Sequence, residues 1–119
     1  MNVAMLLEMA AGSFGDREAV RCGDLALAYT ALERTARVAA AALRASGCAH
    51  AALLDETSPA VPIGLFAAGF AGVPFAPLSY RATAAEIDAL LARLAPAHLV
   101  AGAEHAARCA RAGSARVAR

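Results

Sequence analysis

Lysine and tryptophan are absent from this sequence of 119 residues, and Asn2 is its only asparagine. It also lacks a Gly-rich loop carrying the Ser and Thr residues that wrap a triphosphate. Chemistry that sets a Lys ammonium against a phosphate or a carboxylate is therefore excluded from this polypeptide. Cysteine is scarce: Cys22, Cys48 and Cys109 are odd in number and form no CxxC pair. This usage favours free thiols in a reducing cytoplasm over disulfides or a zinc site.

Strong charge of one sign is missing too. The net charge is +1 with acidic and basic residues interleaved, so we expect no nucleic-acid partner. The hydrophobic fraction is 60%, but 36 residues are alanine, which adds little transfer energy. Prolines interrupt the uncharged stretch Thr57–Tyr80, and their cost inside a helix argues against a membrane span. The N-terminus has no positive start and carries Glu8 in its apolar run, so no signal peptide is expected.

The central part of the chain predicts a helix followed by a buried strand. Ser58 can cap a helix, and Pro59 suits its first turn because it lacks only an N–H that would be unpaired there. The helix is predicted to run to about Ala71 and to end at Gly72. The run Val73–Leu78, with proline at both edges, predicts a short buried strand.

A second helix follows, because Thr83 and Glu86 form a T-x-x-E capping box. Its predicted apolar face holds Ile87, Leu90, Leu91 and Leu94. Strands are predicted on either side of this unit, at Ala51–Leu54 and His98–Ala101. Alternating strands and helices indicate crossover connections, so we expect a parallel sheet with helices on its faces.

The N-terminal part predicts a helix at Val3–Ala11 and then a β-hairpin, Glu18–Cys22 with Leu25–Tyr29. The two residues between these strands, Gly23 and Asp24, suit a type II′ turn, in which the first residue needs a positive φ.

A second T-x-x-E box, Thr30 to Glu33, is expected to open a helix that ends at Gly47. The predicted fold class is α/β: an N-terminal β-hairpin plus a short parallel sheet with flanking helices. We expect a single domain over residues 1–119, with a further helix at Ala103–Ala112 and a frayed tail at residues 113–119.

Residues 68–91, AGFAGVPFAPLSYRATAAEIDALL, resemble a core motif of the AMP-forming acyl-CoA synthetases and other adenylate-forming ligases. In that family an Ala-Gly-x-x-x-x-Pro-Leu/Ile segment leads into a Leu/Tyr-Arg-x-Thr turn and a Glu-bearing helix. Residues 14–20, FGDREAV, are similar to the family's Phe-Pro-Asp-x-x-Ala-Val/Leu, and residues 27–32, LAYTAL, are similar to its Leu-Thr-Tyr-x-Glu-Leu. The resemblance covers about Met5 to Ala101.

The resemblance implies the N-terminal portion of an AMP-forming carboxylate–thiol ligase. Such an enzyme makes an acyl-adenylate and pyrophosphate from a carboxylate and ATP with Mg²⁺, and then passes the acyl group to CoA or to a carrier-bound phosphopantetheine. The family's phosphate loop, acyl pocket and catalytic Lys lie downstream of the matched portion. ATP, Mg²⁺ and CoA are thus implied for the complete enzyme, and no catalytic, cofactor-binding or metal-binding residue is predicted in this chain.

Several side chains are candidates for a site but also have simpler roles. His50, His98 and His105 share no metal spacing. Asp55 and Glu56 follow a strand at the edge where α/β folds bind ligands, although a solvated loop pair explains them more simply.

The remaining candidates also have simpler explanations. Ser58 and Ser79 lack a nearby histidine base, and Cys48 follows a helix C-terminus, whose field disfavours a thiolate. Arg108 and Arg111 could meet a CoA phosphate, as a basic pair does in some family members, or form a solvated face.

Two functions remain open at this point. The chain is either a fragment of a ligase or a stand-alone binding module that kept the scaffold and lost the chemistry. Departures from the family pattern at Ala28, Ala31 and Ala49–His50 favour the module, and the intact central unit favours the fragment. The expected partner is the rest of the ligase, or a second copy that associates through an open apolar face containing Ile63, Phe66 and Phe70.

Overall fold

In the computed structural model, which describes residues 2–102 and 116–118, helices and strands alternate after an N-terminal hairpin. The helices are α1 (Ala4–Phe14), α2 (Tyr29–Ser46), α3 (Ala60–Ala71) and α4 (Ala84–Leu94), and the strands are β1 (Glu18–Cys22), β2 (Leu25–Ala28), β3 (His50–Leu54), β4 (Phe75–Leu78), β5 (Ala97–Ala101) and β6 (Arg116–Ala118). The predicted α/β class is confirmed.

The hairpin lies where the sequence predicts it. Strands β1 and β2 pair antiparallel, with Cys22 opposite Leu25 and an irregularity between Glu18 and Val20. Gly23 has a φ of +60°, while no non-glycine residue in the described part of the chain, Asp24 included, has a positive φ. This is the combination of φ signs that a type II′ turn requires.

The second sheet has the order β4-β3-β5-β6. Strand β3 pairs parallel with β4 on one side and with β5 on the other, so the predicted crossovers through α3 and α4 are confirmed. The chain moves one way from β3 to β4 and the other way from β4 to β5. Right-handed crossovers therefore place α3 and α4 on opposite faces of the sheet.

The C-terminal predictions have a mixed outcome. The expected helix at Ala103–Ala112 and residues 113–115 and 119 of the expected frayed tail lie outside the described residues. Arg116–Ala118, which were also assigned to that tail, instead form β6 and pair parallel with β5. An edge strand can form on backbone hydrogen bonds alone, which is why the lack of an apolar pattern did not reveal it.

One of the two capping boxes is present. At α4 the Thr83 hydroxyl accepts a hydrogen bond from the Glu86 N–H at 3.2 Å. The box predicted at Thr30 is wrong, because α2 begins one residue earlier and its N-cap is Ala28. There the Thr30 hydroxyl donates to the Gly15 carbonyl at 3.0 Å and ties α2 to the loop after α1.

The ends of α2 and α3 follow the sequence closely. Gly47 and Gly72 terminate them in the left-handed conformation, with φ of 67° and 75°. At the start of α3, Pro59 has helical angles, and the Ser58 hydroxyl accepts a hydrogen bond from the Ala60 N–H at 3.2 Å. Ser58 thus caps this helix as predicted.

The two faces of the sheet have separate cores. On the first face α4 packs on β3 and β5, and the largest side chains fully buried there are Leu54, Ile87, Leu91 and Leu99. On the second face α2 and α3 pack together over the sheet through a small-residue cluster that includes Ala40, Ala51, Ala67 and Ala68.

A third cluster corrects the expected open face. Leu7 of α1 and Leu32 and Ala36 of α2 are buried, and Ile63, Phe66 and Phe70 of α3 pack half-buried against them. Helices α1 and α2 therefore cover part of the face that the sequence suggested would be exposed. No helix within the described residues is long and apolar enough to cross a membrane.

Candidate functional site

The carboxyl edge of the parallel sheet is the first place to look for a site, since α/β folds bind ligands there. Strands β3, β4 and β5 end at this edge, and the residues that follow them are Asp55, Ser79 and Gly102. The first two carry polar side chains that are candidates for a site.

The Asp55 carboxylate is engaged within its own loop. Its Oδ1 accepts from the Glu56 N–H at 2.9 Å, and its Oδ2 accepts from the Ser58 hydroxyl at 3.1 Å. Ser58 in turn caps α3, so the carboxylate supports the start of that helix. A Cβ at Gly102 would lie 2.5 Å from Asp55 Oδ1, so a larger residue at this position would force the carboxylate to move. The arrangement closes a turn and leaves no cradle for an anion.

Ser79 also serves its own turn. Its hydroxyl accepts from the Arg81 N–H at 3.2 Å, and its carbonyl accepts from the Ala82 N–H at 3.1 Å. The Arg81 guanidinium lies 5.6 Å from the centre of the Tyr80 ring. These contacts shape the β4–α4 connection and offer no base that could activate Ser79.

The described histidines lie towards the opposite edge. His50 is the first residue of β3, and its Nδ1–H donates to the Leu94 carbonyl at 2.9 Å, since a carbonyl can only accept. His98 is the second residue of β5 and is half-buried. Within the part of the chain that the structure describes, no group of three His, Cys, Asp or Glu side chains could hold a metal ion. His105 lies outside that part, as do Arg108 and Arg111.

The glycines of α3 have packing roles. A Cβ at Gly64 would lie 3.1 Å from the Phe75 ring, and a Cβ at Gly69 would lie 2.9 Å from Asn2 Oδ1 and 3.0 Å from Val3 Cγ1. Together with the terminating Gly72, they allow β4 and the start of α1 to approach the helix. Their N–H groups follow the helix axis and do not converge on one anion.

The two cysteines that the structure describes lie in ordinary surroundings. Cys48 is half-buried and Cys22 is exposed, and both are free thiols. The Cys48 Sγ lies 3.7 Å from the Leu43 carbonyl near the end of α2, as a thiol donor would.

One cavity was not foreseen from the sequence. A groove of about 470 Å³ runs over the second face of the sheet between α2 and α3. We call it the α2–α3 groove; its principal lining residues are Val38, Ala42, Leu53, Ile63, Gly64 and Val100. No residue lining it carries an Asp, Glu, Lys or Arg side chain, so the groove is suited to apolar groups.

Comparison with known proteins identifies the fold. The AMP-binding enzyme family matches residues 7–118. Feruloyl-CoA synthases from Amycolatopsis sp and Streptomyces sp are each 40% identical over 91 residues, which are 74% of this chain and 18% of theirs. The chain therefore spans less than a fifth of the length of the curated relatives it matches.

Solved structures share the fold along nearly the whole chain. A benzoate CoA ligase from Burkholderia xenovorans LB400 matches with a TM-score of 0.89 and 21% identity, over 98% of this chain and 25% of the ligase. The N-terminal domain of FACL13 from Mycobacterium tuberculosis matches with a TM-score of 0.86 and 22% identity, over 99% of this chain and 34% of that domain. The chain belongs to the AMP-binding enzyme family, whose adenylate-forming ligases it matches in their N-terminal domain.

Proposed function

We propose that this chain is the N-terminal segment of an AMP-forming carboxylate–thiol ligase. The complete enzyme would activate a carboxylic acid as its acyl-adenylate and transfer the acyl group to CoA or to a carrier-bound phosphopantetheine. The observation that carries the proposal is the extent of the match: residues 7–118 fit the family, while the chain equals only 34% of a solved N-terminal ligase domain.

The chain's part in that enzyme would be structural. ATP and Mg²⁺ need preorganised N–H donors, carboxylate ligands and a cation. The described residues do not fit this requirement, because both Asp55 oxygens are committed to the turn before α3. We therefore assign the binding of ATP, Mg²⁺ and CoA to parts of the ligase beyond this chain. We place the enzyme in the cytoplasm, where the free thiols of Cys22 and Cys48 would stay reduced.

For the substrate we propose an aromatic acid of the hydroxycinnamate type. The support is the 40% identity to feruloyl-CoA synthases over 91 residues. None of the side chains described above forms an acyl pocket, so ferulate is the first acid to assay and benzoate and a fatty acid are the comparisons.

The stand-alone module is the weaker alternative. Ala28 serves as the N-cap of α2 without a side-chain hydrogen bond, which fits a loss of polar turn chemistry. However, the Thr83 cap, both glycine helix ends and the parallel β3–β4–β5 pairing are intact. A scaffold preserved to this degree is what a ligase segment requires.

A chimera tests the proposal. In the Amycolatopsis feruloyl-CoA synthase, the 91 matched residues are replaced by those of this chain, and ferulate-dependent exchange of labelled pyrophosphate into ATP is measured. We expect activity within about tenfold of the parent enzyme, because the segment supplies packing and no reacting group. A matched chimera carrying Leu99→Asp should lose the activity together with the fold, since Leu99 is fully buried.

A soluble, folded chimera without exchange activity on any of the three acids would contradict the proposal. The DNA downstream of this chain gives a second test. A Ser/Thr- and Gly-rich loop ending in Pro-Lys-Gly, in any reading frame, is expected for a ligase segment, and unrelated sequence is expected for a module.

A further inference from the structure

The second face of the sheet is covered unevenly. Along β5 burial alternates: Ala97, Leu99 and Ala101 are buried beneath the first-face layer, whereas His98 and Val100 on the second face are half-buried. In β3 the residues from Ala51 to Leu54 are all buried, so both of its faces are covered. Strands of parallel sheets are usually buried on both faces, and β5 therefore lacks part of its cover.

The α2–α3 groove lies where that cover is missing. Its floor includes Leu53 and Val100, and its α2 wall is a stripe formed by Thr35, Val38 and Ala42. Val38 is 70% exposed. Elsewhere on α2 the Arg37 guanidinium lies 4.3 Å from the centre of the Phe70 ring and 3.5 Å from Glu8. The stripe is thus an uncharged, exposed part of α2 that borders the groove, whereas other exposed positions of the helix hold Arg34, Arg37 and Arg44.

The chemistry of the groove indicates what would fill it. A free carboxylic acid would bring a negative charge, and the lining holds no Arg or Lys to pair with it; its polar side chains are those of Thr35 and His98, and the other lining residues are apolar. The small side chains of Ala42, Gly64 and Ala67 leave room for large apolar groups from outside. The groove therefore fits aliphatic or aromatic side chains projecting from another polypeptide segment.

The greater length of the relatives indicates where such a polypeptide segment would come from. This chain equals 34% of the solved N-terminal ligase domain that it matches over 99% of its own length. About two thirds of such a domain lies outside the part that this chain matches. The α2–α3 groove is a large apolar concavity on a sheet face, where packing of this kind is expected.

We propose that the α2–α3 groove is the seat for the remainder of the ligase N-terminal domain, which places apolar side chains over Val100 and against Val38 and Ala42. This inference rests on the proposed function and adds the surface through which the segment joins the rest of the enzyme. The groove is then an internal interface of the complete domain.

The test uses the full chain, affinity-tagged, co-expressed with the Amycolatopsis feruloyl-CoA synthase from which the matched residues and everything before them are deleted. Ala42→Glu and Val38→Glu place a charge in the groove from positions that are exposed in the chain itself, so its own fold is preserved. Ala41→Glu is the matched control, because Ala41 is an exposed alanine on the same helix that does not line the groove. Circular dichroism checks that all variants keep their helices.

We expect the wild-type chain and the Ala41→Glu variant to retain the truncated synthase on the affinity resin. Ala42→Glu and Val38→Glu should retain at least about tenfold less, because a buried, unpaired carboxylate is strongly unfavourable. Equal retention by all four chains, or none by the wild type, would overturn the inference.

Two further outcomes would assign the groove to another occupant and also overturn it. One is a dimer of the isolated chain, seen by light scattering, that Ala42→Glu abolishes. The other is binding of a fatty acid to the isolated chain that the same variant abolishes. The chimera assay is independent of these results. If the chimera is active but Ala42→Glu has no selective effect on retention, the proposed role of the groove is refuted and the proposed function still stands.

Discussion

Adjacent residues of β5 should differ sharply in what they contribute to the stability of the isolated chain. Leu99 is fully buried against α4, whereas Val100 faces the incompletely covered α2–α3 groove. Replacing each by alanine removes only aliphatic carbon from the same strand, one position apart. The comparison therefore tests whether the two faces of the sheet are covered as unequally as the structure shows.

The expected magnitudes follow from burial. Leu99→Ala should cost about 3 kcal/mol, since substitutions of fully buried leucine remove transfer energy and leave a cavity. Val100→Ala removes about two methylene equivalents, worth ~0.8 kcal/mol each when buried, and half-burial brings the loss to about 1 kcal/mol. With a urea m-value of about 1.5 kcal/mol/M, the midpoints should fall by ~2 M and ~0.7 M, respectively.

Urea unfolding followed by far-ultraviolet circular dichroism measures both variants, since the chain has no tryptophan for fluorescence. Leu25→Ala is the control, because Leu25 is 51% exposed on β2 and its loss should change stability by less than about 0.5 kcal/mol. If Val100→Ala proved as costly as Leu99→Ala, the second face of β5 would be fully covered within this chain, and the reasoning about the groove would fail.

Three further predictions concern α1 with α3, the caps and catalysis. Gly69→Ala should destabilise the chain by about 1 kcal/mol or more in thermal melts, because the added Cβ would meet Asn2 and Val3. Gly12→Ala in α1 should stabilise the chain by about 0.5–1 kcal/mol in the same melts, because no atom lies within 4 Å of the added Cβ. Thr83→Ala should cost about 1 kcal/mol in urea unfolding through loss of the α4 cap, and Glu33→Ala, at the box that does not form, less than about 0.5 kcal/mol. The isolated chain should show no carboxylate-dependent pyrophosphate exchange above a heat-killed control, because the donors needed at a triphosphate are absent from its sequence; exchange that follows the protein through purification would refute this.

Elements with a local chemical cause could be predicted from the sequence. Gly23 in the hairpin, Gly47 and Gly72 at helix ends and Thr83 at the start of α4 all act through groups a few residues away. The parallel sheet was also predictable, since buried strands joined by helices leave few topologies. The loop at the carboxyl edge could be identified from the sequence. The hydrogen bond from the Ser58 hydroxyl to Asp55 could be seen only in the structure.

Elements that depend on distant segments could not be predicted. Thr30 has the spacing of a capping box, yet its hydroxyl bonds to Gly15, fifteen residues earlier in the chain. The apolar side of α3 was expected to be open because no local pattern shows that α1 folds back onto it. That packing includes a hydrogen bond from Asn2 Nδ2 to the Gly69 carbonyl at 2.6 Å, across 67 positions of sequence.

The carboxyl edge and the second face of the sheet differ in how much of their surface is already engaged in contacts within the chain. At the carboxyl edge, the side chains of Asp55, Ser58 and Ser79 form hydrogen bonds within their own loops, so this edge has little left to offer a ligand. On the second face, Val38 and Val100 retain apolar surface that nothing described in the chain covers. If the proposed function is correct, the segment contributes to catalysis by packing: its free apolar surface holds the rest of the domain, and loops from that remainder supply the groups that bind ATP. Changes in the groove should then reduce the yield of folded ligase before they alter its turnover, whereas changes to a phosphate-binding loop would do the reverse.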